Sequence, residues 1–279
     1  MICRVCNAKS INVYTTVKLP ECIWPTKKET KFSKCHVYSC LKCFHLQLQN
    51  FSKKKISEFY GENQYNTNSS LINKKRLIVI KKKYGQNYFK NKKILDVGGG
   101  VNPVLKDNNV FIADMIIQKI NKKIYKNRYY EIDIEEKKIN QKFDIIFLMH
   151  TLEHFKYPYK AITNIKSSLK NSGRLFIEIP NFNFTLKNKT YYSIFHQHLS
   201  MFTLKHLQNF LNLSSLEIDK LFNENGIIFC SVKKIDSKKN KILHIDNRNI
   251  FRIFKKNHNL MKKKLLSHLK NNKFNIYGA

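Results

Sequence analysis

A short apolar run, Lys93-Ile94-Leu95-Asp96-Val97, is followed at once by Gly98-Gly99-Gly100, three of only eight glycines in a chain of 279 residues. Glycine reaches backbone conformations closed to other residues and lets the chain pass close beneath a ligand. A buried strand running straight into such a loop constrains the fold more than any other feature of this sequence. Further strand-like runs follow at 109–113, 129–132, 143–149, 174–179 and 226–232, with helical stretches at 157–170 and 203–213. Strand–helix alternation predicts an α/β fold built on a parallel, doubly wound, Rossmann-like sheet over residues 91–235. A dinucleotide fingerprint would place a third glycine at position 103, where this chain has Pro103, so the loop does not read as a nicotinamide or flavin site.

The N-terminal part is of a different kind. Six of the seven cysteines lie within the first 43 residues, at 3, 6, 22, 35, 40 and 43. Cys3-x2-Cys6 and Cys40-x2-Cys43 have the spacing that lets paired thiolates grip one tetrahedral ion. All four positions filled by cysteine leave no open coordination site, so the expectation is a structural zinc held by Cys3, Cys6, Cys40 and Cys43. The 33 residues between the pairs exceed the roughly 15–20 of an ordinary ribbon, which points to an insert. Cys22 and Cys35 have no such pairing and read as small buried hydrophobes. The organisation expected is a metal-binding module over 1–50, a helical connector over 51–90, the sheet domain over 91–235, and a basic helical tail over 236–279.

Charge narrows the function less than it first suggests. Lysine plus arginine number 52 against 19 acids, a net +33. Only six of the 52 are arginine, and the rest of the chain is rich in asparagine and isoleucine, a pattern that AT-rich coding bias produces without selection for binding. Phosphate and base recognition would favour the planar fork of arginine. An anionic small molecule is the preferred partner, with nucleic acid second. No run approaches 18 apolar residues, so no membrane span is expected, and the first twenty residues lack the apolar stretch of a secretory signal. The expected location is cytoplasmic.

Acids recur at the ends of the strands: Asp96, then Asp114 eighteen residues on, then Asp133-Ile134, with Met149-His150-Thr151-Leu152-Glu153-His154 closing the fourth. This ordered series resembles the class I S-adenosylmethionine-dependent methyltransferases over roughly residues 75–235. The resemblance implies a methyl donor across the carboxyl ends of the strands. Gly98 and Gly100 would admit its methionine part and Asp96 would lie near its amino group. Asp114 with Met115 would hold the ribose, Asp133 with Ile134 the adenine, and His150 would border the site.

A narrower resemblance joins the two ends of the chain. The cysteine pairs, the glycine loop and Phe195-His196-Gln197-His198-Leu199-Ser200-Met201-Phe202 look like the zinc-containing sugar C-methyltransferases, which act on nucleotide-linked deoxysugars. That resemblance implies His198 as general base, His154 as a second active-site histidine, and Tyr65 as a substrate-side residue. The family's late motif usually reads Tyr-x-Glu-His; here Phe195 lacks the hydroxyl and Gln197 lacks the charge that would raise the basicity of a neighbouring imidazole. The family also continues into a second Rossmann-like domain opening with Tyr-Gly-Ala, so Tyr277-Gly278-Ala279 is expected to mark a chain cut at that threshold. The function expected is methylation of a sugar or nucleotide-linked sugar in surface glycan or related biosynthesis, at carbon or at oxygen. An RNA methyltransferase with a zinc ribbon is the first alternative, although Met149-His150-Thr151-Leu152 does not supply an Asn-Pro-Pro-Tyr motif. An inactive donor-binding partner protein is the second.

Overall fold

The computed structural model describes residues 1–20, 32–52, 70–99, 102–115, 117, 119–188, 194–236 and 267. Tyr65, Gly100, Cys22, most of the tail and the terminal Tyr-Gly-Ala lie outside the described residues.

Among the described residues, two sheets organise the chain. The larger has seven strands: β4 (Ile94–Val97), β5 (Val110–Asp114), β6 (Tyr129–Glu131), β7 (Phe143–Met149), β8 (Leu169–Pro180), β10 (Leu216–Asn223) and β11 (Ile227–Lys234), in the order β10-β11-β8-β7-β4-β5-β6. The strands β6, β5, β4, β7 and β8 run parallel to one another, while β11 runs antiparallel to both β8 and β10. All four residues of β4 are buried, and in β7 only Asp144 is not, which is why these strands read as apolar runs each broken by a single acid, Asp96 and Asp144. Strand order reverses between β4 and β7, and in open α/β sheets the crevice at such a reversal, outside the carboxyl ends, is where ligands bind.

Helices cover both faces. Helix α1 (Ser70–Tyr84) and α2 (Lys119–Tyr125) lie on the side where Ile80, Tyr125, Phe147 and Phe176 pack. Helix α3 (Pro158–Ser168) begins with proline in its first turn, where the missing N–H costs nothing, and buries Ala161, Ile162 and Ile165 on the opposite face. A short α4 (Phe182–Asn188) follows β8. Helix α5 (Leu204–Leu213) is capped by Thr203, whose hydroxyl accepts from the His206 N–H. Among the described residues, no helix is long and apolar enough to cross a membrane.

The smaller sheet is antiparallel, in the order β1 (Ile11–Pro20), β2 (Phe32–Cys40), β3 (Leu46–Leu48) and β9 (Ser200–Met201). The long insert between the cysteine pairs is therefore the β1–β2 hairpin. The fourth strand comes from the far end of the sequence: Leu46 pairs with Met201 and Gln47 with Ser200. The four paired cysteines are buried in the same apolar cluster as α3 and α5. The N-terminal segment thus shares both a sheet and a core with residues beyond 150.

Candidate active site

At the end of β4 the chain turns through Gly98 with φ +74°, a left-handed conformation that a side chain makes costly. A Cβ there would also lie 2.4 Å from Thr151 Oγ1 and 2.7 Å from Thr151 Cγ2. The loop is thus packed against the turn that follows β7. Asp96 is buried and its Oδ2 accepts from the Val104 N–H at 2.7 Å, tying the end of the loop to its beginning. Burial pushes the Asp96 carboxyl up to about 7.

The other residues expected around a donor are placed less uniformly. Asp114 closes β5, and its carbonyl accepts from the Ile132 N–H at 2.8 Å; Met115, next in the chain, is half exposed. Asp133 Oδ1 accepts from the Glu135 N–H at 2.9 Å, so its side chain caps its own turn. Ile134 is buried in the core, with its carbonyl bound by Asn164. His150 has φ +49°, and both ring nitrogens meet carboxylates: Nδ1 lies 3.3 Å from Glu153 Oε1 and Nε2 3.0 Å from Glu178 Oε1. Burial opposes its charge, but the two hydrogen-bonded carboxylates outweigh burial and raise His150 to about 9. Glu178 in turn takes a bidentate ion pair from Arg76 of α1. Burial would raise the Glu178 carboxyl; His150 and Arg76 bring it down to about 2.

Past Thr151, a single 3-10 turn (Leu152–His154) presents Glu153 and His154 toward the 195–202 segment. His154 Nδ1 lies 2.8 Å from the Gln197 carbonyl. A carbonyl only accepts, so Nδ1 carries the proton and the lone pair of the neutral ring is on Nε2. Burial lowers the His154 pKa, which keeps the ring neutral. His198 is buried against the Phe195 ring at 4.0 Å and meets the His154 ring edge-on at 4.8 Å. Glu153 stands between the two: its Oε1 is 3.9 Å from His198 Nε2 and 4.0 Å from His154 Nε2. Burial would raise the Glu153 carboxyl, but the His150 hydrogen bond and the nearby imidazoles hold it below the usual range.

His154, Gln197 and His198 are therefore brought together, beside a turn that touches the glycine loop. Sequence reasoning missed Glu153, Glu178 and Arg76. Glu178 carries a visible signal, a lone acid inside the apolar run Leu175-Phe176-Ile177-Glu178-Ile179.

The cysteine pairs converge as their spacing predicts. Cys3 Sγ lies 3.6 Å from Cys43 Sγ, Cys6 Sγ lies 3.5 Å from Cys40 Sγ, and all four sulfurs fall within 4.8 Å of one another. These separations are far too long for disulfides. They are close to the roughly 3.8 Å edge of a tetrahedron with metal–sulfur bonds of about 2.3 Å. Each pair ends in a turn whose following residue is left-handed, Asn7 at φ 57° and Phe44 at φ 58°. Cys35 is buried in β2, away from this set.

The family model described as "Methyltransferase domain" matches residues 72–221. No curated protein matches the chain significantly by sequence. Solved structures similar to it include an S-adenosylmethionine-dependent methyltransferase from Clostridium acetobutylicum, at 15% identity and TM-score 0.47 over 65% of this chain and 98% of that one. A Burkholderia thailandensis 1,6-didemethyltoxoflavin-N1-methyltransferase is similar at 12% identity and TM-score 0.48, over 70% and 98%. The mitomycin 7-O-methyltransferase MmcR is similar at 13% identity and TM-score 0.38, over 50% and 48%, so the chain spans about half its length. At such identities and scores these likenesses carry no argument about substrate.

Proposed function

The chain belongs to the methyltransferase domain family, and on that premise we propose that it transfers a methyl group from S-adenosylmethionine to a sugar or nucleotide-linked sugar, with His198 as proton acceptor. One convergence supports this reading: the Leu152–His154 turn follows directly on Thr151, which packs on Gly98, and it places Glu153 and His154 against His198. A donor over the glycine loop and an acceptor facing His198 would then be neighbours.

In this reading the donor lies across the carboxyl ends of β4 and β5. Gly98 and Gly100 leave room for its methionine part, Asp96 stands near its amino group, Asp114 and Met115 near its ribose, and Asp133 and Ile134 near its adenine. His150 borders the site from the end of β7. When bound, the donor supplies a methyl carbon already activated by a sulfonium. The work left to the chain is to orient an electron-rich acceptor and to receive its proton. His198 Nε2 takes that proton from a sugar hydroxyl, or from a carbon alpha to a carbonyl, as the new bond forms. His154, fixed by the Gln197 carbonyl, flanks the acceptor beside His198, and Tyr65 would complete the substrate side. Glu153 brings to within 3.9 Å of His198 the carboxylate that Gln197 does not carry. Cys3, Cys6, Cys40 and Cys43 hold a structural zinc in this reading, and the four sulfurs fit such an ion.

Incubation with labelled donor and a panel of nucleotide sugars, followed by mass analysis, tests the substrate class. The expected product is one nucleotide sugar heavier by a methyl group. His198→Ala should bind the donor normally and turn over about 10²–10⁴-fold more slowly. Retention of more than a tenth of the rate would place the base elsewhere, with His154 next to test. Methylation of RNA in place of every sugar would overturn the substrate class.

A further inference from the structure

Glu153, His154 and His198 meet in a way that a proton acceptor alone does not require. Glu153 Oε1 is a common vertex, 3.9 Å from one imidazole Nε2 and 4.0 Å from the other, and the three donor atoms lie within 4.8 Å of one another. Those gaps are too long for direct hydrogen bonds. Two ligands of one ion, each bonded at about 2.0–2.2 Å, stand at most about 4.2 Å apart, and roughly 3.4 Å in a tetrahedron. The two Glu153–histidine gaps thus need to close by only about half an ångström around a cation, and the histidine pair, within 4.8 Å, by up to about 1.4 Å.

Two further observations point the same way. Glu153 is 1% exposed, yet its Oε2 has no hydrogen-bond partner among the described residues. An unsatisfied buried carboxylate oxygen is expensive, and a cation held by both Glu153 oxygens would satisfy it. The surroundings are also those of ligands held from behind. His154 gives its Nδ1–H to the Gln197 carbonyl at 2.8 Å, which fixes the ring with Nε2 4.0 Å from Glu153 Oε1, and Glu153 Oε1 is itself held by His150 Nδ1 at 3.3 Å. Backbone carbonyls behind ligating histidines, and hydrogen bonds behind ligating carboxylates, orient metal ligands in this manner. The cysteine centre draws on none of these residues.

We propose that Glu153, His154 and His198 form a second metal site, of two-histidine, one-carboxylate type, and that a divalent transition ion bound there switches the enzyme off by occupying the His198 lone pair. Imidazole and carboxylate together suit zinc, cobalt(II), nickel(II) or iron(II); magnesium and calcium prefer all-oxygen sites. The ligand assignment stands on the geometry alone, while the inhibitory consequence rests on His198 being the base.

Cobalt(II) is the probe, added to the full chain after the cysteine centre has been filled with zinc. One further equivalent should bind, with visible d–d bands and no thiolate charge-transfer band. Glu153→Gln and His154→Asn should each lose that equivalent while retaining zinc. A check on the wild-type protein guards against variants that fail to fold: bound cobalt should shift two exchangeable imidazole N–H proton resonances far outside the diamagnetic range. Absence of the second equivalent, its persistence in Glu153→Gln, or the lack of shifted imidazole protons would overturn the site. Methyl transfer should fall in step with occupancy and recover when a chelator removes the second ion alone. Cobalt binding without loss of turnover would overturn the inhibitory role. Failure of the base reading looks different: His198→Ala would stay active in metal-free buffer while wild-type cobalt binding stayed intact.

Discussion

Gly98→Ala is a one-methyl change whose cost can be assigned to two separate causes. The first is conformational: φ is +74°, and a left-handed residue with a Cβ costs about 1–2 kcal/mol. The second is steric, because the new methyl would lie 2.4 Å from Thr151 Oγ1 and 2.7 Å from Cγ2. Overpacking of this kind costs about 1–3 kcal/mol, and the sum is about 2–5 kcal/mol. Both offending atoms belong to a side chain, so Thr151→Ala removes them and leaves only Cβ, at 3.1 Å. Alone, Thr151→Ala loses a hydroxyl shared between the Val97 carbonyl at 3.2 Å and the Met149 carbonyl at 3.0 Å, about 0.5–1.5 kcal/mol.

The double variant should therefore be less destabilised than the sum of the singles by the steric part, about 1–3 kcal/mol, with the conformational part remaining. Urea unfolding followed by circular dichroism measures each corner of the cycle, provided the slope m is unchanged. Strict additivity would show that the glycine loop and the turn after β7 do not touch, and with it the neighbourhood of donor and acceptor would fall.

Three other outcomes are expected. The folded chain holds the Asp96 proton up to about pH 7, against 3.8 for the free carboxyl, so the unliganded protein should lose stability as pH rises from about 4 through 7. Urea midpoints at pH 5 and pH 8 should show this, and Asp96→Asn with the same difference would refute the assignment. Arg76→Met leaves Glu178 buried with His150 as its remaining partner and should cost about 3 kcal/mol or more by denaturant unfolding; a loss below about 1 kcal/mol would mean that the pair is solvated in solution. Cys40→Ser should lower zinc content from one ion per chain and slow turnover more than it weakens donor binding, checked by metal analysis and calorimetry; full zinc occupancy would exclude Cys40 as a ligand.

Elements buried on both faces were legible in the sequence. The run 143–149 is a strand with the same bounds in the structure, because a stretch that is apolar apart from Asp144 and too short for an ordinary helix fits a buried strand. The helices at 157–170 and 203–213 came within two residues at each end, having apolar faces at helical spacing, with Pro158 in the first turn of one and Thr203 capping the other. Strands β1 and β2 did not announce themselves: Thr15, Thr16, Lys18, Ser33, Lys34 and His36 make them look like loop, and among the described residues the hairpin buries Val17, Leu19, Cys35 and Val37 in one apolar cluster, with Ser39 and Cys40 buried at the end of β2. Strand β9 is two residues long and exists only because Leu46 and Gln47 offer it an edge. In the site, residue types pointed to His154 and His198. Glu153 was passed over because Leu152-Glu153-His154 reads as one turn of helix, and its meeting with a residue 45 positions on is a tertiary fact. Arg76 was hidden among the lysines of α1, a helix that exposes Leu71 and Ile78 and buries Asn73 and Arg76, so its side-chain pattern does not mark the buried face.

The shared sheet gives the cysteine centre work beyond holding its own loop. His198 precedes Leu199, whose carbonyl accepts from both the Leu48 N–H at 2.9 Å and Arg4 Nη1 at 2.7 Å. Arg4 is buried, and its other bonds go to the Leu48 and Lys156 carbonyls and to Asn50 Oδ1. Burial pulls Arg4 down to about 10, which still leaves it charged at neutral pH. Arg4 lies inside the first cysteine knuckle, between Cys3 and Cys6, so the turn that an ion would fix also sets the direction of this guanidinium. Four links then connect the cysteine cluster to His198: the cysteines set the knuckle, the knuckle sets Arg4, Arg4 holds Leu199, and Leu199 fixes the backbone on which His198 is carried. The donor loop takes no part in that chain, being held by Asp96, Val104 and Thr151. This is why loss of the ion is expected to act on turnover before it acts on donor affinity.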